Sequence, residues 1–167
     1  MARARRKTGE QRTRTSTARE RSALKCHAEA CIDAFMQSVG YTDPSRRTDS
    51  LGVRYFQRGS ASGFAYVFET KDDVILHTEA KVMDMPGDKD LVLPLFRELL
   101  ELNLMLPGGT RLGIRNNQVV AGMTESARWL DNDQYGVCIN RVMEFADAVD
   151  DKLEEKYGGT TQKRTSR

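Results

Sequence analysis

The sequence predicts an α+β fold in the order α-β-β-β-α-β-β-α, an antiparallel sheet packed with helices. Three observations carry that prediction. A leucine-rich helical segment over 91–106 stops at Pro107, Gly108 and Gly109 and runs into a short hairpin. Ahead of it lie three segments with two-residue alternation, joined by connections too short for a parallel return, which needs a crossover of a dozen or more residues. Two further segments with helical periodicity, one early and one late, bracket the whole.

The 167 residues suffice for one domain with a real core. Charge is distributed unevenly: residues 1–25 hold nine Lys and Arg against Glu10 and Glu20, and 160–167 add Lys163, Arg164 and Arg167. Residues 26–159 hold 14 basic and 22 acidic side chains, a net of −8. An acidic body with basic ends should repel polyanions through its body and attract them through its ends. Both ends lack the apolar area that offsets ordering entropy. The expected organisation is a disordered basic arm over 1–16, a single α+β domain over 17–159 and a disordered basic tail over 160–167.

Within the domain, Leu24, Ala28, Cys31, Ile32, Phe35 and Val39 recur at helical spacing, and Gly40 is placed to end that first helix. Residues 41–50 form a loop containing Pro44. Strands are expected over 53–57, 64–70 and 74–83, where Phe64, Tyr66 and Phe68, and then Val74, Leu76, Ala80 and Val82, occupy alternate positions. Turns fall at 59–63 and 71–73.

The second helix starts between Asp90 and Pro94, since proline is tolerated only in a first turn, and ends near Leu106. Asp90, Arg97, Glu98 and Glu101 occupy a sector of roughly 100°, while Leu95, Phe96, Leu99, Leu100, Leu102, Leu104 and Leu106 cover most of the rest. A helix on one sheet face needs a narrower stripe, so the excess calls for another helix or a second chain. Asn103 lies within the apolar arc and is expected to bond to backbone at a helix end or strand edge. A hairpin follows, 110–116 and 118–124, turning at Asn116 and Asn117 because asparagine tolerates positive φ. Asp131 and Gln134 give a capping pattern, and the last helix lines up Tyr135, Cys138, Ile139, Val142, Phe145, Ala146, Val149 and Leu153 before Gly158 and Gly159.

The stretch LFRELLELNLMLPGGTRLGIRNNQVVAGM, followed by the closing helix INRVMEFADAVDDKLEEKY, resembles the YbjN and type III secretion chaperone-like group. The likeness spans roughly 26–157. It implies a small cytosolic protein that dimerises through the middle helix and neighbouring strands and receives an extended segment of a client protein. The basic N-terminal arm is not part of that pattern.

No residue cluster supports catalysis. Cys26, His27 and Cys31 lie close enough for a metal, yet only His77 and Cys138 remain as distant partners, and Cys31 and Cys138 fall on apolar stripes where small buried thiols are common. Asp84, Asp88 and Asp90 lack calcium-loop spacing and read as helix capping. Gly108 and Gly109 follow a helix and lack the lysine of a phosphate loop. Asp150, Asp151, Glu154 and Glu155 read as a solvated helix face. Three cysteines without a disulfide framework point to a reducing cytoplasm, no segment has membrane-spanning length, and the arginine-rich start lacks the long apolar residues of an amphipathic targeting helix.

The expected function is therefore non-enzymatic, with no cofactor, no metal and no membrane. It is a dimeric chaperone-like protein binding a client protein, with Leu95, Phe96, Leu99, Leu102 and Leu106 as the association surface. The alternative is a nucleic-acid-associated protein binding through Arg3, Arg5, Arg6, Lys7, Arg12 and Arg14, which can release counterions from phosphates but have no interleaved aromatic residue for base stacking.

Overall fold

The computed structural model describes residues 17–106 and 108–158. The arm over 1–16 and the tail over 160–167, with the six cationic residues proposed for nucleic acid, lie outside the described residues.

Helix α1 (Ala18–Ser38) begins at Thr17, whose hydroxyl accepts from the Glu20 amide while the Glu20 carboxylate accepts from the Thr17 amide, so two orphan donors are satisfied reciprocally. Strands β1 (Arg54–Arg58), β2 (Ala61–Glu69) and β3 (Val74–Asp84) form the meander. Helix α2 (Val92–Met105) precedes the hairpin of β4 (Arg111–Arg115) and β5 (Gln118–Ser126), and α3 (Gln134–Tyr157) closes the chain. Asn116 and Asn117 do adopt positive φ, 50° and 62°, and Gly158 ends α3 in the left-handed conformation. Asp131 Oδ1 accepts from the Gln134 amide at 3.0 Å and Gln134 Oε1 accepts from the Asp131 amide at 2.8 Å, the reciprocal cap the sequence predicts.

All five strands pair antiparallel in the order β1-β2-β3-β5-β4. The first hairpin is tighter than expected. Arg58 pairs with Ala61 around Gly59 and Ser60, so Ala61, Ser62 and Gly63 belong to β2 rather than to a turn over 59–63. Gly63 sits where a Cβ would lie 2.5 Å from the Glu79 carbonyl and 2.7 Å from Met143 Sδ, which is why a glycine interrupts the strand pattern.

Helices α1 and α3 pack on one face of the sheet, α1 mainly across β2 and α3 across β3. Ile32 and Met36 from α1 meet Ala65, Leu76, Val82 and Ala121 from the sheet and Ile139 and Val142 from α3, all fully or almost fully buried. Each large aliphatic side chain so buried contributes about 1.5–3 kcal/mol. Arg54 is buried as well, donating to Asp33 in α1 at 2.7 and 3.1 Å and to the Gly52 carbonyl at 2.8 Å, so β1 is tied to α1 by a two-pronged ion pair.

The expectation of a solvated carboxylate face on the last helix fails at Asp150, which is 1 % exposed. Its Oδ2 accepts from Ser60 Oγ at 2.6 Å while Asp147 Oδ1 accepts from the Ser60 amide at 2.9 Å, so these carboxylates fasten the β1–β2 turn to α3. Helical periodicity places Asp150 on a polar arc but cannot show that a hairpin lands there.

Candidate functional site

Helix α2 lies beside the edge strand β4, its buried side joining the core that α1 and α3 cover. Asn103 fixes it there: its Nδ2 donates to the Leu112 carbonyl at 3.0 Å and its Oδ1 accepts from the Leu112 amide at 2.7 Å, so one side chain satisfies both outward backbone groups of an edge residue. At its first turns α2 contacts α3, where Glu98 accepts from Lys156 Nζ and the Tyr157 hydroxyl. Those donors hold the Glu98 carboxyl below its usual range.

This placement divides the residues expected to mediate association. Leu95 and Leu99 are core residues, 0 % and 5 % exposed. Leu102 and Leu106 are half-buried against the same core, and Phe96 is 38 % exposed. The uncovered ridge consists instead of Leu93, Leu100 and Leu104, with Phe96 beside them and Ile114 exposed on the neighbouring β4, while Met105 is exposed on the side of Glu98 and Glu101. Sequence reasoning identified an over-wide apolar arc, but which half faces the core depends on how α2 sits against β4, and that is set by Asn103.

The sheet face opposite α1 and α3 is uncovered by any helix among the described residues, and it is aromatic. Register puts Tyr55 of β1 beside Phe64 of β2, and Tyr66 of β2 beside His77 of β3. Their rings form a continuous run: Tyr55 to Phe64 at 6.4 Å between centroids, Phe64 to Tyr66 at 6.1 Å, Tyr66 to Phe68 at 5.6 Å and Tyr66 to His77 at 5.2 Å. Tyr55 and Phe68 are exposed and the three between them half-buried. Phe64, Tyr66 and Phe68, the alternation that marks β2, thus point away from the core, which takes the smaller Ala61, Ala65 and Val67.

A charged cluster continues this face. Glu79, 8 % exposed, is ion-paired with Arg115 Nη1 at 3.1 Å and lies 3.7 Å from His77 Nε2. The Arg115 guanidinium sits 5.2 Å over the Phe64 ring. His77 Nδ1 bonds Thr124 Oγ1 at 3.0 Å. Burial pushes the His77 imidazole below its ordinary value, opposed by Glu79 and reinforced by Arg115, which favours its neutral form. The outer edge of β1 is partly closed, since the Tyr41 hydroxyl accepts from the Gln57 amide at 3.0 Å and donates to its carbonyl at 3.3 Å. Tyr41 and Asn103 therefore occupy one outward backbone pair on each edge, and a client strand adding to either edge would have to displace them there.

The candidate chemical groups do not converge. Cys31 Sγ lies 3.6 Å from His27 Nε2 and 3.6 Å from Asn132 Oδ1. Burial pushes both the Cys31 and Cys138 thiols up, with Asp133 and Glu125 respectively adding to it, so neither is an activated thiolate. Tyr135, buried between α3 and the 3-10 turn Ala127–Trp129, is pushed up to about 12 by desolvation with help from those thiols, and its hydroxyl donates to the Ala127 carbonyl at 3.2 Å. Asp88 Oδ1 accepts from the Asp90 amide at 2.9 Å as a cap, while Asp84 accepts from Lys81 and Gln118. No group of three or more His, Cys, Asp or Glu among the described residues could hold a metal ion. No helix among the described residues is long and apolar enough to cross a membrane.

Solved structures share this fold, among them three in complexes. The ExsC-ExsE complex aligns at 15 % identity and TM-score 0.61, over 78 % of this chain and 96 % of that one. The Yersinia pestis type III secretion chaperone SycH, in complex with a stable fragment of YscM2, aligns at 12 % identity and TM-score 0.52, over 72 % and 98 %. The HopA1-SchA chaperone-effector complex aligns at 14 % identity and TM-score 0.55, over 77 % and 97 %. No curated protein matches the sequence. Residues 26–165 match the family described as TY-Chap1, T3SS (YopN, CesT) and YbjN peptide-binding chaperone 1, and the chain belongs to that family.

Proposed function

We propose that the protein is a non-enzymatic cytoplasmic chaperone that holds an extended segment of a client protein on the open face of its sheet and dimerises through the exposed ridge of α2. The observation that carries this reading is the aromatic run from Tyr55 to Phe68, a row of large rings on a face that no helix or strand among the described residues covers. Contiguous apolar surface of this kind marks interaction sites, because a monomer gains nothing by leaving it wet. The ridge Leu93, Leu100 and Leu104, between 68 % and 89 % exposed, supports association between copies on the same ground. Family membership and the partner-bound state of the similar structures support a peptide as the occupant.

Sedimentation velocity on the full chain and on Leu100→Asp with Leu104→Asp tests the dimer. The native chain should sediment as a dimer and the variant as a folded monomer with an unchanged circular dichroism spectrum. A monomeric native chain, or a variant that stays dimeric, refutes the α2 assignment. Leu99→Asp is the wrong probe, since it buries a charge in the core.

The charge asymmetry favours one second reading, in which Arg3, Arg5, Arg6, Lys7, Arg12 and Arg14 bind nucleic acid while the acidic body dimerises. It requires an affinity that collapses with added salt and with deletion of 1–16.

A further inference from the structure

This inference rests on the open-face reading and assigns the chemistry of its occupant. A cleft of about 500 Å³ opens on the sheet face, running from the 3-10 turn Pro44–Arg47 across β1, β2 and β3 to the β4–β5 turn. Its walls include the rings of Tyr55 and Phe64, and its charged lining is Arg47, Lys81 and Arg115 against the single carboxylate of Glu79. A cationic cleft in a body whose net charge over 26–159 is −8 is a local reversal of sign.

Subtracting the two internal ion pairs leaves a net charge of one, that of Arg47. Arg115 is ion-paired with Glu79, and Lys81 donates to Asp84, which does not line the cleft. A guanidinium has five donors and an ammonium three, so both keep hydrogen-bonding capacity toward an incoming group. Arg47 lines the cleft, and its guanidinium sits 5.2 Å over the ring of Tyr41. The geometry points to a binding site for a carboxylate side chain: the client is an extended segment in which Asp or Glu is interspersed with apolar residues, the acids seated among Arg47, Lys81 and Arg115 and the apolar side chains on the row from Tyr55 to Phe68. The acidic body around the cleft repels a long polyanion, whereas a segment with one or two carboxylates meets only the cleft.

A display library of random dodecapeptides panned against the immobilised full chain tests this, with Arg47→Gln, Lys81→Gln, Arg115→Gln combined in one variant and Phe64→Ala with Tyr66→Ala in another. All forms carry the basic arm, so its attraction for acidic peptides cancels in the comparison. The native chain should enrich peptides carrying acids among apolar residues. The strongest of them should bind roughly tenfold tighter, by fluorescence anisotropy, than its copy with Gln for each acid, and that preference should fall severalfold in the triple-Gln variant, to the part the arm supplies. Peptides lost in the Ala variant but showing no acid preference overturn the carboxylate site and leave the open face standing. Peptides retained by the Ala variant overturn the open-face reading itself, as does a selection that enriches nothing. A triple-Gln variant with an altered circular dichroism spectrum is replaced by Arg47→Gln alone, which breaks no ion pair on the sheet and should still reduce the preference; an undiminished preference there counts against the site.

Discussion

Asn103→Ala should destabilise the protein even though alanine is the better helix former. The asparagine makes two hydrogen bonds to Leu112 on β4, at 2.7 and 3.0 Å, and both disappear. At about 1 kcal/mol each the loss is about 2 kcal/mol. Alanine in the last turn of α2 returns at most roughly 0.6 kcal/mol of helix propensity. The net is about 1.5 kcal/mol, or a fall in Tm of ~4 °C for a domain of this size. Urea denaturation measures the free energy and hydrogen exchange localises it: the Leu112 amide points away from β5, so its protection depends on Asn103 and should drop in the variant while the amides paired within the sheet keep theirs. Propensity alone predicts the opposite sign. A variant as stable as the native chain or more so, with Leu112 still protected, would refute the anchoring role of Asn103 and with it the account of which α2 leucines are exposed.

Gly136→Ala places a methyl 2.5 Å from the Phe35 ring, and the overpacking should cost about 1–3 kcal/mol in urea titrations, recovered in part by adding Phe35→Leu; a gain in stability, as propensity predicts, would show that the α1–α3 contact yields freely. Ser60→Ala removes the hydroxyl donor of buried Asp150 and should cost about 1–3 kcal/mol by the same assay, whereas a loss below about 0.5 kcal/mol would mean that the carboxylate is hydrated. His77 gives a pH dependence of definite sign. Burial lowers its folded pKa below 6.5, so the unfolded chain takes up the proton first; the contribution is fully present above pH 6.5 and is lost as pH falls from there through the folded pKa. Between about pH 7.5 and 5.5 the native chain should therefore lose more stability than His77→Gln, and equal losses would place the imidazole in contact with solvent.

Local sequence determined the elements because each rests on chemistry within a few residues. Periodicity placed the helices, Asn116 and Asn117 supplied the positive φ of the hairpin turn, and Asp131 with Gln134 built the cap of α3, all of which the structure repeats. The antiparallel sense of the sheet followed from the length of its connections. Tertiary structure alone decided what depends on pairs distant in the chain. The β4–β5 hairpin docks with β5, not β4, beside β3. Arg54 finds Asp33 across 21 residues and Ser60 finds Asp150 across 90, so two charged groups that composition assigns to solvent are buried. The functional surfaces belong to the same class. An aromatic alternation reads identically whether it faces core or water, and it faces outward here because α1 and α3 both cover the side that carries Ala65 and Val67. The width of the α2 arc was legible, but its division into Leu95 and Leu99 inside and Leu100 and Leu104 outside needed the orientation that Asn103 imposes. Residue type sets the energy of burial per side chain; the packing of remote elements decides which side chains collect it.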